Sequence, residues 1–444
     1  MTKKIWGWFF FDFASQPYNT LLLTFIFGPY FAAVVGDPVE AQSLWGTALS
    51  LSGVCIALLA PLLGAIADGS GRRMPWIIAF SLLYVVGSGA LWFAVPNAPT
   101  VWWILLSFGV GLVGMEFATT FTNAMLPDLG TKEELGRISG SGWAFGYVGG
   151  VLALAVMLLF LAENDKGVTF LGRAPLFGLD PALREGTRSV GPFVALWYAV
   201  FMIPFFLWVR DVPHPDGGTG VREGLADLWA TVKGLPQTRS LTAFLASSML
   251  YRDALNGLYT FGGIYALGTL GWSVVDIGVF GILAAVSGAV FAFLGGRADS
   301  AMGPKTVIVG CMAVLLAVAV LLITISRESI LGIPIADGSR VPDIVFFVCG
   351  AVIGGAGGAL QSSSRTMMVG QAHPDQMTQA FGLYALAGKA TSFIAPAAIA
   401  VVTDATGSQR LGISPLIVLF ALGLVLLTFV NPDGDAHPMG ADPT

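Results

Sequence analysis

The sequence predicts an all-α integral membrane protein with twelve transmembrane helices in two pseudo-symmetric six-helix bundles. Hydrophobic residues make up 55% of the 444 residues and charged residues only 11%, whereas a soluble domain carries about 25% charged residues. Apolar runs of the roughly 20 residues needed to cross a bilayer recur along the chain. The two halves also repeat each other's polar residues at a nearly constant offset.

Twelve apolar runs follow one another, and we expect each to cross the membrane once. They lie at approximately 5–35, 42–67, 75–95, 100–126, 137–161, 191–209, 241–267, 273–296, 305–325, 342–367, 379–402 and 411–430. The first run follows two lysines, as in a signal peptide. It is too long, contains Asp12 and lacks a small-residue cleavage site, so we expect a retained first helix.

These runs predict the domain boundaries. An N-terminal six-helix bundle is predicted at 1–210 and a C-terminal bundle at 241–430. A cytoplasmic linker at 211–240 joins them, and a cytoplasmic tail follows at 431–444. Apolar residues at helical spacing within the linker predict an amphipathic helix on the membrane surface. A regulatory partner site is the alternative for this helix.

The placement of Lys and Arg predicts the orientation. Twelve of the 22 lie on the side of the termini and seven on the opposite side, four of those in the loop 162–190. Short loops carry most weight, and the loops at 36–41, 96–99 and 268–272 on the opposite side hold none. We therefore expect both termini to be cytoplasmic and the membrane to be a bacterial inner or plasma membrane.

Polar residues of the first half recur in corresponding helices of the second. The pairs are Asp12, Ser15 and Tyr18 with Asp253, Asn256 and Tyr259 at an offset of 241, and Gly140, Gly146 and Thr119–Asn123 with Gly382, Gly388 and Gln361–Arg365 at an offset of 242. Such a repeat predicts a duplicated six-helix unit. That is the arrangement of major facilitator transporters, whose site lies between the halves near the membrane midplane.

The segment between the second and third runs fits the major facilitator signature G-x-x-x-D-x-x-G-R-[RK]. The matching residues are Gly64, Asp68, Gly71, Arg72 and Arg73, and a degenerate copy between the eighth and ninth runs contains Asp299. Glycines permit a tight turn and close helix approach, and Asp68 could either pair with an Arg or accept backbone N–H bonds at a helix start. We predict a gating latch that breaks and re-forms between access states. A topological anchor is the alternative.

Four helices carry polar stripes at helical spacing, which predict the lining of a substrate and proton pathway. The stripes are Asp12, Gln16 and Asn19; Glu116, Thr119, Thr120 and Asn123; Asp253, Asn256 and Thr260, with Tyr259; and Gln361, Ser364 and Arg365. Hydrogen bonding between helices, without substrate contact, is the alternative. A carboxylate is costly inside a membrane, so this alternative suits the hydroxyls and amides better than the acids.

Single charges within the apolar runs have two interpretations each. Lys389 could pair with a carboxylate or hold an anionic substrate group, or its side chain could extend to the membrane surface. Arg365 could line the pathway or lie at the interface. Asp253 is the predicted proton carrier, with its ionised state held by Lys389 or Arg252, and the acids of the first and fourth runs are its rivals.

Several function classes are excluded by what the sequence lacks. Its three histidines lie in loops or the tail and its three cysteines in apolar runs, so neither a metal cluster nor a disulfide framework is predicted. No nucleotide-binding or catalytic motif is present. We therefore expect no enzyme activity and no cofactor, with a gradient as the driving force. The net charge of −5 suggests no nucleic-acid partner.

Several stretches resemble one branch of the major facilitators, the vacuole-effluxer-like or "unknown major facilitator" family. Residues 12–18 are similar to its Asp-Trp-Ala-Asn-Ser-x-Tyr opening, and residues 137–147, 358–365 and 381–393 to further stretches. The resemblance implies the major facilitator fold and, more loosely, an amino-acid-like substrate. Two positions depart from the pattern: Phe13 replaces Trp, and Arg252 stands where a small polar residue is common.

We expect a secondary transporter that exports a small polar metabolite, such as an amino acid, by alternating access. Protons are the predicted coupling ion, membrane lipids the surroundings, and the monomer the predicted state. Uptake of a small organic solute is the first alternative. A lipid or lipid-linked flippase with a side-open cavity, and a receptor or scaffold that transports nothing, are the others.

Overall fold

Residues 2–98, 101–164, 166–211, 221–272 and 274–435 are described in a computed structural model. The start of the predicted linker, 212–220, and the end of the predicted tail, 436–444, lie outside these ranges. Almost every regular element is a helix. The predicted all-α fold is confirmed by this architecture, together with the apolar length of its helices.

The first half of the chain begins with a broken helix. α1 (Lys3–Pro17) continues as a π-helix (Tyr18–Phe25), and α2 (Phe27–Val35) follows. The remaining helices of this half are α3 (Pro38–Ser70), α4 (Met74–Ala90), α5 (Trp102–Asn123), α6 (Lys132–Val156) with a π-helical end (Met157–Leu161), α7 (Glu185–Arg188), α8 (Val190–Phe201) and α9 (Ile203–Trp208).

The second half begins with a short helix and contains one hairpin. Its helices are α10 (Val221–Gly234), α11 (Arg239–Leu270), α12 (Val274–Met302), α13 (Pro304–Thr324), α14 (Val341–Gln371), α15 (Met377–Ala390), α16 (Ile394–Thr406), α17 (Gln409–Gly412) and α18 (Ser414–Leu427). The antiparallel strands β1 (Ser329–Ile330) and β2 (Ile333–Pro334) lie between α13 and α14. Short 3-10 turns occur at Leu91–Phe93, Leu126–Leu129, Leu176–Gly178, Pro181–Leu183 and Pro374–Gln376.

Ten helices within the described ranges are long and apolar enough to cross a membrane, and the bent pair at the N-terminus brings the number to eleven. α11 is not among them, although its 32 residues exceed the roughly 20 that a crossing needs. Each of the twelve predicted runs coincides with one of these helices or with α11.

The first predicted run is bent rather than straight. Lys3–Phe25 and Phe27–Val35 meet at an angle of 48° across Ile26. Pro17 ends α1 and has no N–H to donate to the preceding turn. The chain continues with the wider π-helical hydrogen bonding of Tyr18–Phe25, and bends of this size are typical next to proline and π-helical segments.

Two compact units are present. Unit 1 comprises Met1–Ala60, Ser70–Met125 and Phe145–Thr219, and unit 2 comprises Pro61–Gly69, Leu126–Ala144 and Gly220–Thr444. Residues 61–69 of α3 and residues 132–144 of α6 therefore belong to unit 2, while the rest of each helix belongs to unit 1.

Small residues allow close helix packing inside unit 1. A Cβ added to Gly87 of α4 would overlap the backbone of Gly111 in α5. The Tyr18 hydroxyl donates a hydrogen bond to the carbonyl oxygen of Phe108 at 2.6 Å. Backbone approach and buried polar contacts of this kind replace the hydrophobic effect as the means of joining helices in lipid.

Unit 2 uses the same principle between α12 and α14. A Cβ added to Gly354 would overlap the backbone of Ala284, and one added to Gly358 would lie 2.6 Å from the carbonyl oxygen of Gly288. The Ser287 hydroxyl also donates to the carbonyl of Ala351 at 2.6 Å. α14 is thereby held closely against α12, which fixes the position of its polar C-terminal half.

Candidate functional site

The carboxylate of Asp68 lies at the start of α15. Its Oδ1 accepts a hydrogen bond from the N–H of Thr378 at 3.2 Å, and its Oδ2 accepts one from the N–H of Gln379 at 2.8 Å. Gln376, the residue before the helix, gives no side-chain cap. Asp68 supplies the acceptor that the first N–H groups of a helix require, and its charge meets the positive end of the helix dipole.

Gly64 brings α3 close enough for this contact. A Cβ at this position would lie 2.6 Å from the carbonyl oxygen of Thr378 and 2.9 Å from Cα of Gln379. Gly64 and Asp68 are four residues apart and share one face of the helix. Gly64 and Asp68 therefore both contact the start of α15.

The signature occupies a helix end rather than a loop. α3 continues to Ser70, so both Gly64 and Asp68 are helical, whereas the sequence predicted a helix end near residue 67. The turn itself is at Gly71, whose φ of +66° lies in the left-handed region that favours glycine.

The two arginines of the signature have different surroundings. Arg72 is exposed, while Arg73 is buried at 8% exposure. The N–H groups of Arg73 and Met74 donate to Asp211 Oδ1, each at 3.2 Å, and Met74 also reaches Oδ2 at 3.0 Å. Asp211, which the sequence placed at the start of the linker, thus caps α4.

The degenerate copy of the signature makes a related contact. Asp299, in the last turn of α12, is 3% exposed. A Cβ on Gly136 of α6 would lie 2.6 Å from its Cγ. Gly136 precedes Thr378 by 242 residues, which is the offset of the sequence repeat. Asp299 therefore meets α6 at the position equivalent to the one where Asp68 meets α15.

Arg365 is an internal residue of unit 2. It is 2% exposed, donates from Nε to Ser139 Oγ at 3.1 Å and from Nη2 to the Ser139 carbonyl at 2.7 Å. Its guanidinium carbon lies 4.6 Å from the centre of the Trp143 ring. The Arg365 side chain is therefore buried against α6.

Asp253 lies where the eleventh predicted run is interrupted. Helical hydrogen bonding stops between α15 and α16, and Asp253 Oδ2 accepts the N–H of Ala395, the second residue of α16, at 2.7 Å. Phe393 before α16 provides no side-chain cap. Asp253 Oδ1 is buried and has no hydrogen-bond partner among the described residues.

Arg252, beside Asp253, reaches α15 instead. Its Nη1 donates to the carbonyl oxygen of Tyr384 at 2.9 Å, and its guanidinium carbon lies 4.3 Å from the centre of the Tyr384 ring. A Cβ on Gly388 would overlap the guanidinium. Lys389, the next residue of α15, is half-buried. Arg252, Asp253 and Lys389 thus surround the end of α15.

The polar residues of α1, its π-helical continuation and α5 belong to unit 1. Asp12 is 9% exposed, and a Cβ on Gly146 would lie 3.2 Å from its Cβ. Thr120 donates to the carbonyl of Glu116 in its own helix at 2.9 Å, so its hydroxyl is satisfied locally. The partly exposed side chains are Gln16, Asn19 and Glu116, whereas Asn123 is buried.

The remaining predicted site residues of unit 2 are more exposed than Asp253 and Arg365. Asn256 is exposed and makes no hydrogen bond with any described residue, and Tyr259 is 43% exposed. Gln361 of α14 is half-buried. The structure therefore gathers Arg252, Asp253 and Lys389 at one junction but leaves the two residues further along α11 exposed.

One open cleft was not predicted from the sequence. Its volume is about 590 Å³, and it lies along the first half of α3, lined by Gln42, Ser43, Gly46, Thr47, Ser50 and Leu51. Small and polar residues recur there four apart, but each of the predicted stripes contains a charged residue and this one contains none.

The geometry agrees with comparisons to known proteins. The family model described as "Vacuole effluxer Atg22 like" matches residues 28–435. The uncharacterized MFS-type transporter YxiO of Bacillus subtilis is 23% identical over 97% of this chain and 95% of its own length. Autophagy-related protein 22-2 of Emericella nidulans is 29% identical, but the match covers 67% of this chain and 51% of the fungal protein. The chain thus spans about half the length of such fungal relatives.

Solved structures support the same fold. The Escherichia coli fucose:proton symporter FucP superposes with a TM-score of 0.72 at 15% identity, covering 96% of this chain and 97% of the symporter. The human organic anion transporter MFSD10 gives 0.68 at 18% identity, covering 96% and 99%. These matches confirm the predicted major facilitator fold. The relatives and structural neighbours are transporters, which confirms that the chain is not an enzyme.

Proposed function

Because the chain belongs to the vacuole effluxer Atg22-like family of major facilitator transporters, we propose that it exports a small polar metabolite of the amino-acid type from the cytoplasm. The proposed mechanism is proton-coupled alternating access. The family's description as effluxers supports export. The proposed setting is a bacterial inner or plasma membrane with both termini cytoplasmic, and the domain boundaries are those predicted from the sequence.

The observation that carries this proposal is the contact between Asp68 and the start of α15. It joins the second predicted span to the eleventh through two hydrogen bonds and a charge–dipole interaction. A negative charge at a helix N-terminus contributes about 0.3–1 kcal/mol, and up to about 2 kcal/mol when partly buried. A contact of that strength biases one access state without locking it, which is the property of a reversible latch.

The substrate and proton pathway is proposed to follow the polar residues of the two units. Asp253 is the proposed proton carrier, because it is an acid in mid-span whose Oδ1 is buried without a partner in the described structure. Asp12 and Glu116 are the rival carriers. Lys389, at the end of α15, is proposed to meet a negatively charged group of the substrate.

Transport into proteoliposomes tests the proposal directly. The purified full chain is reconstituted and screened with amino acids, sugars and nucleosides under opposite pH gradients. Proton-coupled export predicts accumulation of an amino acid when the lumen is acidic, because proton exit then drives solute entry. Accumulation only with an alkaline lumen would instead establish proton-coupled uptake. Absence of gradient-dependent flux for every solute contradicts the proposal.

Asp68→Asn tests the latch in the same vesicles. Loss of the charge should reduce transport about five-fold, equivalent to about 1 kcal/mol in the balance of access states, while expression and folding stay intact. Asp375→Asn is the matched control, since its side chain is 73% exposed in the turn before α15. Wild-type transport by the Asp68 variant would remove the latch from the mechanism.

Asp253→Asn tests proton coupling. The variant cannot carry a proton on this side chain, so it should lose accumulation driven by the pH gradient and retain exchange of substrate across the membrane. The measurement compares net accumulation with counterflow at equal pH. Continued accumulation would transfer the coupling role to Asp12 or Glu116.

A further inference from the structure

Arg252 has more N–H donors than hydrogen bonds in the described structure, and it lies within a predicted membrane span, where a charge is costly. A guanidinium carries five N–H donors, and only one hydrogen bond, from Nη1 to the Tyr384 carbonyl, is made to the described residues. No carboxylate of the described chain lies within 4.0 Å of it. The side chain is half-buried in the middle of α11 rather than at a helix end.

Asp253 is not the partner of Arg252, although the two are adjacent in sequence. Neighbouring residues of a helix point about 100° apart, and Asp253 Oδ2 binds the N–H of Ala395. The carboxylate of Asp253 therefore caps the start of α16. The guanidinium keeps its own charge without an ion-pair partner in the described structure.

The surroundings of Arg252 hold the guanidinium in a fixed plane. Tyr384 provides both its ring and its carbonyl oxygen, and Gly388 leaves the space that a side chain would otherwise fill. A planar guanidinium held in this way presents its remaining N–H groups as a fork that matches the two oxygens of a carboxylate. Lys389 adds a second positive charge next to Gly388 along α15.

We infer that Arg252 is the anchor for a carboxylate of the transported solute, and that Tyr384 and Gly388 are its positioning residues. The inference rests on the proposed function, since it assumes a solute of the amino-acid type, and it assigns the recognition of that solute's carboxylate to one side chain.

Binding to the purified full chain in lipid nanodiscs tests the inference without requiring transport. The probes are matched pairs of which only the acid carries a carboxylate, namely glycine with glycinamide, leucine with leucinamide, and succinate with succinamide. Thermal stabilisation is measured as a function of probe concentration. At least one acid should bind the wild type at least ten-fold more tightly than its amide, because hydrogen bonds to charged groups contribute more than neutral ones.

Three variants test whether the preference for the acid depends on Arg252. Arg252→Gln should abolish the preference for the acid, and Arg252→Lys should retain it only in part, because the ammonium lacks the planar fork. Gly388→Ala should weaken the preference while keeping the arginine, since its methyl would displace the guanidinium. Gly310→Ala in α13 is the control, because a Cβ there meets nothing within 4 Å.

Each outcome decides the question. Equal binding of acid and amide, binding of no acid in the panel, or an undiminished acid preference in Arg252→Gln overturns the inference. If Arg252→Gln does not fold, Arg252→Lys and Gly388→Ala carry the test. Proton-driven transport of a solute that lacks a carboxylate would keep proton-coupled transport and remove the subsite. Arg252-dependent acid binding without any proton-driven flux would keep the subsite and remove the coupling.

Discussion

At the scale of single residues, the absence of a side chain at Gly64 decides a helix contact. A methyl group there would lie 2.6 Å from the Thr378 carbonyl oxygen, well inside contact distance. We expect Gly64→Ala to lower the free energy of unfolding by about 1–3 kcal/mol, the usual effect of overpacking. It should also reduce transport, because α3 must move away from the start of α15. Thermal unfolding in detergent and flux in proteoliposomes measure the two effects.

A glycine of the same helix provides the control. Gly53 has nothing within 4 Å of an added Cβ. Gly53→Ala should therefore stabilise the helix slightly, by about 0.5–1 kcal/mol, and leave transport unchanged. Equal destabilisation by both substitutions would mean that α3 tolerates no alanine anywhere and that Gly64 has no special role at the latch.

At the scale of elements, four helices begin without a local side-chain cap and receive an aspartate from elsewhere in the chain. The pairs are Asp68 with α15, Asp253 with α16, Asp211 with α4 and Asp435 with α11. The first N–H groups of a helix have no partner within the helix, and at α16, which begins within the eleventh predicted run, lipid cannot supply an acceptor in place of water. Acids donated from other segments therefore both satisfy the backbone and connect the elements.

Substitution of Asp253 separates this capping from proton coupling. Asp253→Ala removes the acceptor for the Ala395 N–H and should lower the free energy of unfolding by about 1–2 kcal/mol. Asp253→Asn keeps an amide oxygen in place and should cost much less, since Asn caps helices about as well as Asp. Thermal unfolding of both variants measures the difference. Equal losses would show that the charge, rather than the acceptor, stabilises α16.

The positions of the membrane spans were predictable from the sequence. The interruptions within the spans and the residues that their polar side chains contact were not. Apolar length is a local property, so all twelve runs coincide with helices. The partner of Asp253 lies 142 residues away, and helical spacing gives a face but not what that face meets. The stripe of α5 illustrates the same limit, because the Thr120 hydroxyl bonds back to its own helix.

At the scale of the whole molecule, charge asymmetry predicts the orientation in the membrane. The termini, the signature and α10 share the side richer in Lys and Arg, and the positive-inside rule makes that side cytoplasmic. Single-cysteine labelling of intact bacterial cells tests the prediction. The native Cys55, Cys311 and Cys349 are first replaced by alanine, and one cysteine is then introduced at Glu223 or at Leu171, both of which are exposed.

A membrane-impermeant maleimide should label cysteine at 171 in intact cells and cysteine at 223 only after the membrane is permeabilised. The reason is that α10 follows the sixth span and the loop at 162–190 follows the fifth, so an odd number of crossings separates them. The permeabilised sample also controls for poor reactivity at either site. Labelling at 223 alone in intact cells would show that the predicted topology is inverted. The direction of transport would not follow from that result, because it is set by the proton gradient and by the sense of coupling.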